Sequence, residues 1–467
     1  MNTYDVIIIG GGASGTALLY TLAKYTDIKR IALIEKYASF GSVNSNAKNN
    51  SQTLHVGDIE TNYTIDKVKS VKPASMMVAR YAERLTPAES AKFLFHVPKM
   101  ILAVGDSEVA DLEKRFLDLK DLFPELERFT AKEIAEREPK IMEGRNPDEK
   151  VLALYNPNGY AVDFGVLSES FVEQSKALVK NTNRIVDTFL ECEVEEIVKM
   201  EDAGYVITTK SGKTFHSNVV IVDTDSYSLL FAKKLGYGKE FSLIPIAGTF
   251  YFTPQLLKGK VYTMQESRLP FAAVHGDPDV RVSGKTRFGP TARFLPVLES
   301  RNIKTMKDYF ASSGLGMRKT WASFFKILLE PIRFFYLAKN ILYELPYIGK
   351  YFFVGQVKKI IPTVTGSDLT RAEGYGGMRL QRVNTNTKEL LLGEGKIVGD
   401  HIIFNMTPSP GASVCLWNAL RDAEQIVQFF PKGTYQFKKA IMEKELMRDE
   451  TAPSKAGDLS PKSGYPS

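Results

Sequence analysis

The chain alternates short β-branched runs with longer stretches of helical spacing, and the pattern is sharpest at its start. Val6 to Ile9 is an apolar run of the kind carried by a parallel strand buried on both faces. Thr16 to Lys24 has helical spacing, and Ile31 to Ile34 predicts a second strand. A polar loop from Ser39 to Asn50 follows, then helical spacing over Ile65 to Leu85 and a strand within Phe93 to Gly105. Ser107 to Glu138 is charged, with Leu112, Phe116, Leu119, Leu122 and Leu126 at helical intervals. Asp163 predicts the N-cap of a helix reaching about Lys180. A meander then reads as strands at Cys192 to Val198, Tyr205 to Thr209 and Val219 to Val222. Further strands are expected at Leu243 to Phe252, Phe271 to Val274 and Gly284 to Phe288. Residues 314–343 read as helical and rich in aromatics, and Val414 to Phe429 as a last helix. From about Glu450 the composition of Pro, Ser, Lys and Gly is that of a disordered tail, 450–467.

The turn between the first strand and helix carries chemistry. Gly10, Gly12 and Gly15 give the spacing that permits a sharp turn, close approach of a pyrophosphate and close helix–strand packing. Ala13 and Ser14 lie inside the turn, where helix N-terminal amides face phosphates. Glu35, followed by Lys36, ends the second strand twenty positions beyond Gly15. An acid there accepts from a ribose 2′-hydroxyl and disfavours a phosphorylated ribose. Strand, glycines, helix, strand and acid in register predict a dinucleotide site.

Composition narrows the class. With 467 residues, the chain is long enough for two or more structural units. Two cysteines, Cys192 and Cys415, exclude a disulfide framework and a cysteine zinc cluster, which points to a reducing, cytoplasmic setting without a bound metal. The apolar start lacks the basic flank of a signal peptide, and no apolar run is long enough to span a bilayer. A net charge of +7 permits attraction to anionic lipid or acidic substrates without indicating nucleic acid. There is one G-x-G-x-x-G unit and no C-x-x-C pair, so a disulfide reductase with two dinucleotides is excluded. One nucleotide fold followed by a large strand-rich unit fits a flavoprotein that binds FAD and no nicotinamide.

At this point the chain resembles the FAD-dependent malate:quinone oxidoreductases, in particular their shorter bacterial branch within the wider D-amino-acid-oxidase-like flavoproteins. The resemblance runs through nearly the whole chain. It is carried by the N-terminal motif, by Ala47 to His55 with Glu60 to Thr64, by Ala161 to Gly165, and by Pro270 to Pro278. Gly284 to Ala292, Gly377 to Gln381 and Asn405 to Ser413 continue it in order. It implies an α/β chain with a Rossmann-like FAD-binding domain of the glutathione-reductase type, and a second, substrate domain of mixed β-sheet plus helices. The expected FAD-binding domain is discontinuous, 1–85, 150–240 and 366–440, with 86–149 and 241–365 forming the substrate domain. It also implies oxidation of (S)-malate to oxaloacetate by hydride transfer to flavin N5, with electrons passed to a membrane quinone. One departure stands out: where relatives carry a small Asn-Ala-Gly-like segment close to FAD, this chain has Asp223-Thr224-Asp225-Ser226.

The resemblance places Ser51, Gln52 and Thr53 by the flavin, Val194 by the adenine, and Gly411, Ala412 and Ser413 at the helix that faces the flavin's pyrimidine edge. Oxidising a 2-hydroxy acid needs a base for the hydroxyl proton and a cation for the carboxylate. His275, ending an apolar strand just before Gly276-Asp277, is the first candidate base, or a histidine satisfied at a strand end. His55 either hydrogen-bonds the cofactor or acts on substrate; His96, His216 and His401 have no functional cue. Arg379 is the candidate carboxylate fork, with a surface ion pair as the alternative, and Arg287 is a weaker candidate for malate's second carboxylate. Residues 317–343 mix Trp321, Phe324, Phe325, Phe334 and Phe335 with Arg318, Lys319, Lys326, Arg333 and Lys339, which suits peripheral contact with the anionic inner face of the cell membrane; a core helix with a charged outer face is the alternative. Another 2-hydroxy acid such as lactate or 2-hydroxyglutarate, an amino-acid oxidase using oxygen, and a non-catalytic FAD-binding protein are the rival readings.

Overall fold

A computed structural model describes residues 2–201, 204–265, 269, 274–391, 393–408 and 410–447. The elements that build the site begin with β1 (Asn2–Ile9), α1 (Ala13–Tyr25), β2 (Arg30–Ile34), α2 (Ile65–Ala82), β3 (Lys99–Val104) and β4 (Val151–Asn156). They continue with α3 (Phe164–Val179), β5 (Ile185–Phe189), β6 (Thr214–Val222), β7 (Phe241–Ala247), β8 (Lys260–Thr263), β9 (His275–Pro278) and β10 (Lys285–Gly289). The last are α4 (Arg318–Leu328), α5 (Pro331–Tyr343), β11 (Met378–Asn384), β12 (Ile402–Met406) and α6 (Cys415–Gln428).

The first sheet has a parallel centre in the spatial order β12, β6, β1, β2, β5. β1 lies inside it, so Val6 to Ile9 are buried on both faces, as an unbroken β-branched run requires. α1 packs between α3 and α6 on one face and buries residues around most of its circumference. The expected meander pairs in antiparallel fashion onto β6.

The second sheet has eight strands and contains β10, β9, β8, β3 and β4 side by side, with β8 parallel to β3. A four-stranded sheet pairs β7 with β11 in antiparallel register. Hence β4 and β11, which the sequence grouped with the nucleotide-binding unit, belong by pairing to sheets built from segments 86–149 and 241–365.

Several local expectations change. The single strand within Phe93 to Gly105 is two, Leu94–His96 and β3, interrupted around Pro98, which has no N–H for a ladder. The periodic stretch from Ser107 is one helix only to Leu119, followed by Glu127–Phe129 as a strand and Ala131–Arg137 as a separate helix. Residues 271–273 of the strand expected over Phe271 to Val274, and the tail from Glu450, lie outside the described residues. By contrast, the interruption expected of Pro331 is present: it divides the aromatic stretch into α4 and α5 and takes the first-turn position, where its missing N–H costs nothing.

Candidate active site

A long cavity runs from the β1–α1 turn, past the carboxyl ends of the parallel strands, to Arg379, enclosing about 1520 Å³ with its open mouth included. Ligands of open parallel sheets bind at this edge, where strand order reverses between β1 and its neighbours. At one end the Gly10–Ser14 turn forms the wall. A Cβ on Gly10 would lie 2.3 Å from the Asp223 carbonyl, and one on Gly15 would lie 2.0 Å from the Gly10 carbonyl. Gly10 also has φ +112°, so glycine is required there by conformation as well as by space. Gly15 serves the packing of α1 and does not line the cavity. Gly12, Ala13 and Ser14 do line it.

Glu35 closes the nucleotide end. Its carboxylate accepts from the backbone N–H of Gly11 at 2.7 Å and of Tyr37 at 2.8 Å. Burial pushes its pKa up, against those two hydrogen bonds. Lys36 forms an ion pair with Glu299 and lies 4.3 Å over the Tyr227 ring. Glu299 also accepts from the Tyr37 hydroxyl at 2.5 Å, so this end holds a charged, aromatic cluster that motif spacing did not reveal. Val194 lines the wall beside it.

The departure at Asp223 is structurally pronounced. Asp223 lines the cavity, is 7% exposed, and has a buried carboxyl oxygen with no hydrogen-bond partner among the described residues. Burial, with Asp422 and Asp225 nearby, holds its pKa well above the usual range. Asp225 takes φ +47°, a conformation usually left to glycine, and accepts from Asn44 at 2.9 Å; burial pushes its pKa up to about 6. The upward shifts favour the protonated forms, for Asp225 below about pH 6, and the Asp225 carboxyl is turned onto the Asn44 amide, which lessens repulsion toward a pyrophosphate group.

At the far end an irregular strap, residues 47–60, brings Ser51, Thr53 and His55 to the cavity wall. His55 Nε2 lies 3.0 Å from Ser51 Oγ, and its Nδ1 is hydrogen-bonded to Glu60. Burial raises the Glu60 pKa, but the hydrogen bond and charge of His55, aided by Lys99, outweigh it and hold the carboxyl below its ordinary value. In the neutral ring an anionic Glu60 accepts the Nδ1–H, and Nε2 then carries the lone pair, beside the Ser51 hydroxyl. Ser413 Oγ accepts from the His55 backbone N–H at 3.0 Å, tying the strap to the segment before α6. Ala412 and Ser413 line the cavity, and α6 itself starts later than expected, at Cys415. Gly411 sits behind, where a Cβ would lie 2.4 Å from the Thr407 carbonyl.

Arg379 projects from β11 into the same end. It has no hydrogen bond or ion pair with any described residue, and its neighbours in charge are the hydroxyls of Tyr262, Tyr336 and Tyr63. Burial pulls its pKa down, yet arginine remains a cation.

Three expectations land elsewhere. Gln52, fully buried at φ +52°, turns its amide away from the cavity to Asp279 and the Val280 N–H. Arg287 is fully buried behind the strap, with Asp277 at 2.9 Å and the Asn50 carbonyl at 3.1 Å, so it is not a cavity-facing cation for a second carboxylate. His275 is also behind the strap: it stacks on Tyr262 with ring centroids 4.5 Å apart, and is not among the side chains lining the cavity. Tyr262 in turn meets Thr53 Oγ1 at 2.6 Å, which puts one ring between His275 and the cavity wall. Sequence reasoning gave Glu60 no role; the signal was present, a carboxylate five positions after His55.

Comparison with known proteins agrees with this architecture. A glycine oxidase from Geobacillus kaustophilus superposes with a TM-score of 0.63 at 17% identity, covering 92% of this chain and 96% of that one. An L-α-glycerophosphate oxidase from Mycoplasma pneumoniae, solved with FAD bound, gives 0.60 at 16% identity over 92% and 95%. These share the fold. In sequence, the chain is 41% identical over 437 residues to a protein of Campylobacter jejuni described as a probable malate:quinone oxidoreductase, covering 91% of this chain and 96% of the relative. It is 40% identical over 433 residues to the malate:quinone oxidoreductase of Helicobacter pylori strain J99, covering 91% and 94%. The profile of the family described as Malate:quinone oxidoreductase (Mqo) matches residues 2–416, from the nucleotide turn through the strap and Arg379 to the start of α6, and the chain belongs to that family.

Proposed function

We propose that this enzyme oxidises (S)-malate to oxaloacetate with FAD as its resident cofactor and delivers the electrons to a membrane quinone. The observation that carries the reading is Arg379, a cavity-lining cation with no hydrogen bond or ion pair to a described residue, at the same end as His55, whose Nε2 meets the Ser51 hydroxyl. FAD supplies the two-electron acceptor for the hydride leaving C2.

The chain's residues do the rest. The Gly10–Ser14 amides and Glu35 hold the adenosine diphosphate half, and Val194 packs by the adenine. Arg379 forks onto a carboxylate of the substrate, for which it has two parallel donors to offer. His55 takes the hydroxyl proton on Nε2, and the Glu60 carboxylate stabilises the imidazolium that results. His275, shielded by Tyr262, serves the buried packing behind the strap.

Quinone is lipid-borne, so the protein must meet a bilayer. No helix among the described residues is long and apolar enough to cross one. α4 and α5 instead expose Trp321, Phe325, Leu329 and Phe335, the last 70% exposed, beside Lys319, Lys326 and Arg333. The patch continues past α5 to Tyr347, 94% exposed, and Phe352. Exposed apolar side chains interspersed with cations suit an anionic membrane surface. On its inner side α5 carries Tyr336, one of the hydroxyls around Arg379, so the docking face backs onto the substrate end.

The test is anaerobic bleaching of the flavin with malate, lactate, 2-hydroxyglutarate and amino acids, followed by quinone or oxygen. The reading expects malate to bleach fastest and quinone to restore the colour. Fast bleaching by an amino acid with reoxidation by oxygen would overturn it. Phe335→Glu with Tyr347→Glu should lower sedimentation with anionic vesicles while leaving malate-dependent bleaching intact; undiminished sedimentation would remove the docking assignment.

A further inference from the structure

The strap is irregular backbone inside the protein, so its carbonyls need buried donors. Two come from neighbouring strands of the eight-stranded sheet. Lys260 Nζ donates to the Ser51 carbonyl at 3.0 Å, and Lys99 Nζ to the Leu54 carbonyl at 3.3 Å. Both side chains are buried, at 0% and 1% exposure. Lys260 is paired with Asp277 at 2.6 Å, and Lys99 with Asp58 at 2.7 Å.

The two lysines are direct partners in the parallel register of β8 and β3. Like charges opposite one another oppose strand pairing. Buried ion pairs recover little beyond their own desolvation. A neutral donor or a bound water would satisfy a carbonyl at lower cost, so stability does not account for this arrangement. What the lysines add is position. The Ser51 carbonyl belongs to the residue whose Oγ meets His55 Nε2, and the Leu54 carbonyl to the residue just before His55.

We propose that Lys260 and Lys99 are positioning residues for the reaction, pinning both ends of the Ser51–His55 hydrogen bond so that Nε2 is held at the cavity wall. This rests on the reading of His55 as the base. Each counter-ion has a second donor, Arg287 at 2.9 Å for Asp277 and Asn156 at 2.7 Å for Asp58. Lys260→Met therefore leaves Asp277 paired, and it is the cleaner variant.

On holoenzyme, Lys260→Met should keep its bound FAD, judged by the visible spectrum, and melt within a few degrees of the parent. Its flavin reduction by malate should slow about a hundredfold, the size expected for a misplaced catalytic group, with the apparent malate affinity little changed because Arg379 is intact. The acid limb of its pH–rate profile should move as the Ser51–His55 contact loosens. Lys260→Gln, which keeps a donor toward the Ser51 carbonyl without the charge, should recover most of the rate. A parental rate and pH profile in Lys260→Met would overturn the proposal. Loss of FAD and melting temperature in both variants, without rescue by Gln, would mean a structural role and would overturn it too. His55→Gln separates the two ideas: if it reduces flavin normally, the base assignment fails, whereas an inactive His55→Gln beside a fully active Lys260→Met removes only the positioning role.

Discussion

Two arginines from neighbouring sheets show how differently this protein treats its inner charges. Arg287, behind the strap, has Nε and Nη2 on Asp277 and Nη1 on the Asn50 carbonyl, with Asp279 3.7 Å away. Arg379, in the cavity, has no partner among the described residues. The carboxylates divide the same way. Asp277, buried but facing Arg287, Lys260 and His275, has its pKa drawn down to about 2. Asp223, with Asp225 and Asp422 around it and Lys396 as the cation on that side, is driven upward. Asp277 and Arg287 behind the strap satisfy one another, whereas at the cavity Arg379 and one carboxyl oxygen of Asp223 have no hydrogen-bond partner among the described residues. Burial alone therefore does not identify a functional charge; burial without a partner does.

The largest effect should come from breaking the satisfied side. Arg287→Met removes two of the three hydrogen bonds that Asp277 accepts and the cation beside Asp279, and removing one partner of a buried pair costs about 3–5 kcal/mol. A urea titration should show the midpoint falling sharply. The same substitution at Arg379 should leave the midpoint unchanged or higher, since no pair is broken, while kcat/KM for malate falls roughly a hundredfold. Equal stability losses at the two sites would erase the distinction.

A smaller, pH-dependent effect sharpens it. Above about pH 4 an unfolded aspartate has lost its proton. Folded Asp225 keeps its own up to about pH 6, and Asp223 is shifted strongly in the same direction. The folded state thus binds more protons, so stability from these groups is present at low pH and is lost as pH rises through the folded-state values. Asp277 has the opposite sign: its contribution is present above about pH 4 and disappears only as pH falls through about 2. Asp223→Asn should accordingly raise the melting temperature of the FAD-free protein by a few degrees at pH 8 and hardly at all at pH 5. An equal change at both pH values would mean that Asp223 is ionised throughout.

The same contrast explains what could be read from the chain. β1, its glycine turn, α1 and β2 were legible because each is specified by neighbours in sequence, and Glu35 follows within the same unit. The strap was recognised only by resemblance. Its supports lie 45, 209 and 237 positions away, at Lys99, Lys260 and Arg287, and no local pattern announces such partners. His275 illustrates the cost. The nearby Asp277 suggested an oriented base, yet residues two apart in a strand share a face. Here that face turns to the buried ions and Tyr262, away from the cavity. Under the proposed mechanism the signal lay at His55, with Ser51 four positions before it and Glu60 five after.

In the proposed mechanism malate's proton leaves through His55 while Arg379 holds the carboxylate. The direct measurement is the rate of anaerobic flavin reduction by malate in stopped flow, comparing His55→Gln with His275→Gln at matched FAD content. The account predicts a loss of roughly 10²–10⁴-fold for His55→Gln, the usual contribution of a general base, and a rate near the parent's for His275→Gln. Normal reduction in His55→Gln, or the full loss in His275→Gln instead, would contradict it.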